Sequence, residues 1–217
     1  TVAETQALLK PDEALLLVLV NPEATYVWGL SRDRVEWARA ADLGDAAMTA
    51  SVAKLRESLT TAAQNRSDLD PSIFAGRPVA AFDRAEAHRL YAELIEPVEG
   101  VFEGKSTLIT VVTGALTTLP LAVLSTEAPT GADTAEALAA TPWLIDRYAL
   151  ATLPSVSSLK ALRCYLVSDS ALRSPGCPPS AGAAPATRQA TRAGTRDFTL
   201  AAFGAPLLAG APDYASR

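Results

Sequence analysis

The segment 108–124, LITVVTGALTTLPLAVL, constrains this chain more than any other. Leu108, Ile109, Thr110, Val111 and Val112 run without polar alternation and are rich in β-branched side chains, the pattern of a strand buried on both faces. Gly114 closes the run. Beyond it Leu116, Leu119, Leu121, Val123 and Leu124 crowd around Pro120, so the chain leaves its turn inside the core rather than in solvent. A central strand and its exit are expected here.

Composition narrows the function classes. With 217 residues and an apolar share of 49 %, the chain can bury one large core or two small ones. The net charge is −5, with both signs interleaved, so no basic stripe is available for a phosphate backbone and no nucleic-acid partner is expected. The apolar runs are too short to cross a bilayer, and no membrane partner is expected. Cys164 and Cys177 are too few for a disulfide framework and lack metal-ligand spacing, which fits a reducing, cytoplasmic compartment. The first residue is Thr1 and no signal peptide is visible, so a fragment or processed piece of a longer protein is expected.

Three β-like runs, 14–20 (ALLLVLV), 24–30 (ATYVWGL) and 34–38 (RVEWA), are separated by the turn formers Asn21, Pro22, Glu23 and Ser31, Arg32, Asp33. They read as an antiparallel β-meander over about 14–38. In the second run Tyr26, Trp28 and Leu30 fall on one face, and a stripe of rings is a binding surface in some proteins but more often packs into the core. Met48, Val52, Leu55 and Leu59 recur at helical spacing and predict a helix over about 45–64. Residues 65–71 break it, and 73–81, with Gly76 and Pro78, read as a loop. Asp83 with Glu86 three residues later is a capping-box-like start. Ala87, Leu90, Tyr91, Leu94, Ile95 and Val98 carry that helix on to about 99, with Pro97 kinking or closing it.

His88 is the only histidine, and no serine or cysteine stands at helical spacing to act as its nucleophile, so a structural or surface role is expected. Residues 125–141 read as a surface excursion. A strand follows over about 148–153, then Ser155 as N-cap of a helix over about 155–163. Val156, Leu159 and Leu162 are its buried side, with Lys160 and Arg163 outward. From 168 to 196 the chain turns to Pro, Ala, Ser, Gly and Arg with almost no large apolar residue, the composition of a disordered linker or insertion. Strand-like sequence restarts at 198–203 (FTLAAF), within a stretch 197–217.

Taken in order, these motifs resemble a family. Gly114-Ala115-Leu116 and Leu119-Pro120-Leu121-Ala122-Val123-Leu124 resemble the signature strand and turn of CHAT domains, bacterial caspase-like domains often fused to tetratricopeptide repeats. The stretch from Trp143-Leu144-Ile145-Asp146-Arg147-Tyr148 to Leu153-Pro154-Ser155-Val156-Ser157-Ser158-Leu159 is similar to that family's second signature and is the closer match. Phe203-Gly204-Ala205-Pro206 is similar to its Gly-x-Pro, and Lys10-Pro11-Asp12-Glu13-Ala14-Leu15-Leu16 resembles the way these domains begin after their repeats. Where the family has Pro-Asp-Gly at the strand exit, this chain has Val112-Thr113-Gly114.

The resemblance implies a three-layer α/β caspase-like sheet with flanking helices, preceded by the antiparallel meander and incomplete at the C-terminus. Residues 1–167 would be the N-terminal part, 168–196 the linker, and 197–217 the next core strand, truncated. It also implies a cysteine peptidase whose histidine, ending one strand, assists a cysteine ending the next, both downstream of the Gly-x-Pro strand. This chain contains neither; Cys164 and Cys177 come before that point and do not match the nucleophile motif. No catalytic, cofactor-binding or metal-binding residue is therefore expected here, and no cofactor. The implied partners are the remainder of the chain's own domain, tetratricopeptide repeats in the parent protein, and the parent's polypeptide substrate. A different reading is a CHAT-like module that has lost catalysis and serves as a scaffold or interaction module beside helical repeats. Caspase-like relatives of the separase and gingipain types cut after basic residues, which makes Arg173, Arg188, Arg192 and Arg196 in the linker candidate processing sites.

Overall fold

The structure is a computed structural model and describes residues 1–67, 82–165 and 174–177. Five strands form one mixed sheet in the order β3-β2-β1-β4-β5, with β1 at Glu13–Val20, β2 at Thr25–Leu30, β3 at Val35–Ala40, β4 at Thr107–Val112 and β5 at Ala149–Thr152. β1 pairs antiparallel with β2 and parallel with β4, while β2 pairs antiparallel with β3 and β4 parallel with β5. The N-terminal strands thus do not precede the sheet as a unit packed on it; they are built into it, and β1 is its centre. The cause lies in β1 itself. Ala14, Leu15, Leu16 and Val18 are fully buried, and a strand apolar on both sides needs cover on both faces.

Six α-helices accompany the sheet among the described residues: α1 (Val2–Leu8), α2 (Asp45–Ser67), α3 (Arg84–Leu94), α4 (Ala135–Ala139), α5 (Leu144–Arg147) and α6 (Val156–Cys164). Leu16, Val18, Val27 and Leu108 on one face pack with Met48, Val52 and Leu55 of α2 and with Ala87, Leu90, Tyr91 and Leu94 of α3. On the other face Leu15, Leu30 and Ile109 meet Leu8 and Leu9 at the end of α1 and Leu159 and Cys164 of α6. Alternation along each strand divides the side chains between these two clusters. None of the described helices is long and apolar enough to cross a membrane.

Local chemistry explains where the elements start and stop. The Asp83 carboxylate accepts from Glu86 N at 2.8 Å and caps α3. The reciprocal bond is not made, because the Glu86 carboxylate is held by Arg89 at 2.6 Å, one turn on. The helix expected to reach 99 ends at Leu94, and a 3-10 helix takes over at Glu96–Phe102 with Pro97 in its first turn, since proline brings no N–H to the α-helical ladder. After β4 the chain turns at Gly114, whose φ of 63° is the left-handed region. It continues as 3-10 helices at Gly114–Thr118 and Leu121–Val123, burying Leu116, Leu119, Leu121 and Leu124.

α6 departs from its expected orientation at two positions. Leu162, expected in the core, is 45 % exposed, and Arg163, expected in solvent, turns inward to pair with the buried Glu13 of β1. Leu159 reaches the sheet, but nothing among the described residues covers the flank beyond β5, so the next apolar turn of the helix overhangs open space.

Within the expected disordered linker, Ser174, Pro175, Gly176 and Cys177 are described and held in place: Gly176 N donates to Ala7 O at 3.2 Å and Ser174 Oγ to Leu8 O at 3.0 Å. The loop at 73–81, the rest of the linker with Arg173, Arg188, Arg192 and Arg196, and the strand expected in 197–217 lie outside the described residues.

Candidate functional site

In an open sheet with parallel strands the natural place for chemistry is the rim at the strands' C-terminal ends. Here β1 and β4 end side by side, Val18 opposite Val112. Thr113 fastens them. Its Oγ1 accepts from Val20 N at 2.8 Å and donates to Val18 O at 3.3 Å, while its own N–H donates to the same carbonyl at 3.1 Å. Asp45 joins the rim at the start of α2, where its N–H donates to Asn21 O at 2.9 Å. Hydroxyl, amide and a single carboxylate can bind and orient a chain, but they form no nucleophile and base pair.

His88, Tyr91 and Arg147 are engaged structurally. His88 Nδ1 donates to the Ser125 carbonyl at 3.2 Å, which fixes the proton on that nitrogen, and its ring stacks on Tyr91 with centroids 6.2 Å apart. Arg147 Nη1 donates to the Tyr91 hydroxyl at 3.3 Å and pairs with Glu99. Burial, with a hydrogen bond and negative charge from Glu99, pushes the Tyr91 phenol well above its ordinary range, so it remains protonated. Burial likewise raises Tyr148.

The two cysteines are joined. Cys164, at the end of α6, is 3 % exposed and forms a disulfide with Cys177, 13 residues later. The pair, too few for a framework and expected in a reducing compartment, is still enough for one clip. Gly176 makes the clip fit, because a Cβ there would come 2.5 Å from Ala7 Cβ and 2.9 Å from its carbonyl carbon. As a disulfide, neither sulfur is a nucleophile.

Arg84, which sequence reasoning missed, organises the excursion at 125–141. Its side chain is buried and reaches Asp133 with Nε, the carbonyls of Thr130 and Ala132 at 3.3 and 3.0 Å with Nη2, and the Ala137 carbonyl at 3.4 Å with Nη1. A signal was present: an arginine in the first turn of a helix opposes the dipole, so its charge must be used elsewhere. Beside β5 and α6 lies an open groove of about 430 Å³, lined by Lys10, Glu13, Ile109, Leu153, Leu159 and Arg163. Among the described residues no group of His, Cys, Asp and Glu could hold a metal ion. The chain matches no protein-family model, and no curated protein matches it in sequence.

Proposed function

We infer that this chain is the N-terminal structural portion of a bacterial caspase-like (CHAT) cysteine peptidase domain, and that it hydrolyses no peptide by itself. The observation that carries the reading is the open flank at β5. Among the described residues that strand pairs with β4 alone, three of its four residues are exposed, Leu162 overhangs it, and the groove beside it is apolar apart from the Glu13–Arg163 pair, Lys10 and Thr107. A further parallel strand on that edge would extend the series β1, β4, β5 and bring its C-terminal end to the same rim as Thr113. The histidine and cysteine of the family would then come from strands beyond the described residues, and three-layer cover from the helices that follow them.

On this reading the chain's first partner is the remainder of its own domain. Tetratricopeptide repeats and a polypeptide substrate belong to the longer protein, acting in the cytoplasm. The test is peptide hydrolysis by that longer protein, its downstream cysteine replaced by alanine, and this chain alone. Activity in the first, lost in the second and missing from the third is the expected result. Other residues at the two dyad positions would instead make the domain an inactive scaffold, and hydrolysis by this chain alone would overturn both readings.

A further inference from the structure

The sheet's other edge supports an inference independent of the one above. In the β2–β3 hairpin Ser31 N donates to Arg34 O at 2.9 Å, and the ladder alternates from there, so residues 36, 38 and 40 bond to β2. The N–H and C=O groups of Val35, Trp37 and Arg39 therefore point away from the sheet, and no described residue bonds to them. The side chains of the same three residues share one face. Val35 is 47 % and Trp37 62 % exposed, Arg39 is exposed as well, and Trp37 lies opposite Trp28, which stacks on Tyr26 with centroids 6.2 Å apart. Edge strands are usually guarded by proline, a bulge or inward charges. β3 has no proline and keeps unbroken register over all six of its residues. Its one acidic residue, Glu36, points to the opposite face and is held by Arg34 at 2.7 Å.

We propose that β3 is a self-pairing edge, through which two copies of this chain join antiparallel into one continuous sheet. The occupant is argued from complementarity. A two-fold axis perpendicular to the sheet keeps each face on its own side and matches outward-bonding residues with outward-bonding residues. Centred on Ala38, it sets Trp37 directly opposite Arg39 of the second copy, twice. Centred on Trp37, it sets the two indoles opposite each other with Arg39 on the diagonal. Either register brings a guanidinium with no acidic partner among the described residues onto an indole face, an attractive arrangement, and on the opposite face Ala38 and Ala40 are small while Glu36 is held by Arg34. A second copy supplies both the backbone groups and the ring that Arg39 needs, whereas an unrelated extended segment does so only if it carries a ring or a carboxylate at that register.

The test is sedimentation of this chain over a dilution series, with amide hydrogen exchange read at Val35, Trp37 and Arg39. A dimer is expected at the upper concentrations, with protection of those three amides rising with concentration. Trp37→Lys and Arg39→Glu should each weaken association by about tenfold or more, and the double variant should recover much of the loss by setting lysine against glutamate. Far-UV circular dichroism checks that all three variants stay folded. A monomer at every concentration, a dimer indifferent to both single variants, or concentration-dependent protection at β5 instead of β3 overturns the proposal. Protection at β3 that does not change on dilution overturns it too, because the edge would then be covered by another part of the same chain.

Discussion

Breaking the Cys164–Cys177 bridge should cost the folded chain about 3 kcal/mol, from the freedom that a loop of this length regains in the unfolded ensemble. A local cost adds to this, since the bonds from Gly176 N to Ala7 O and from Ser174 Oγ to Leu8 O depend on 174–177 being held against α1. For a chain of this size the entropic part corresponds to a fall in Tm of about 6–12 °C. The assay compares thermal melts of oxidised protein, reduced protein and Cys177→Ala, a variant that removes the bridge at a half-buried position and leaves Cys164 in its packed site. Thiol titration of unfolded protein prepared without reductant supplies the count. Two free thiols in that preparation, or melts of all three within about 1 °C of one another, would refute the reasoning. The result also bears on compartment, because a cytoplasmic glutathione pool keeps most accessible thiols reduced.

Arg84→Met should destabilise by about 3–5 kcal/mol, toward the lower end because Asp133 is 27 % exposed, and hydrogen exchange should speed at 130–137; an unchanged urea midpoint would count against it. Thr113→Val, which takes the acceptor from Val20 N, should cost about 1–2 kcal/mol while Thr113→Ser stays near wild type; equal losses in both variants would assign the effect to packing. Arg89 holds the Glu86 carboxyl below its usual range, and at Asp83 burial opposes ionisation but bonds from Lys54 and Glu86 N prevail and lower it too. Both folded pKa values lie below the unfolded ones, so this stabilisation is present above the ordinary carboxylate range and is lost as pH falls through the depressed values. Urea midpoints should drop between about pH 5 and pH 3, and the Asp83→Asn, Glu86→Gln double variant should flatten that slope. Mass spectrometry of the longer protein, with its nucleophile intact or replaced, should find cleavage after Arg173, Arg188, Arg192 or Arg196 only in the intact form; an intact linker in both sinks self-processing.

Single elements were readable wherever one local rule acted alone. Met48, Val52 and Leu55 marked the buried side of α2 because helical spacing and burial are the same fact seen twice. Asp83 and Ser155 marked helix starts because a cap acts within three residues. The leucines around Pro120 announced a buried exit from β4 because so much apolar surface has no other place to go.

What local rules do not contain is which parts of the chain meet. The run ALLLVLV read only as the first strand of a meander, and its place at the centre, parallel to β4, is a pairing across 93 residues, as the bond from Val20 N to Thr113 Oγ1 measures. Glu13 with Arg163, Arg84 with Asp133, and Cys164 with Cys177 are likewise meetings that no periodicity encodes. Each puts a polar or reactive group where its sequence neighbours predict solvent, because in a packed core the partner supplied by the fold outweighs the local preference for water. The exposed β3 edge with Trp37 is the converse. Alternation alone says that the residue has a face, and only the assembled sheet shows that the described residues leave this face, and the backbone beside it, without cover.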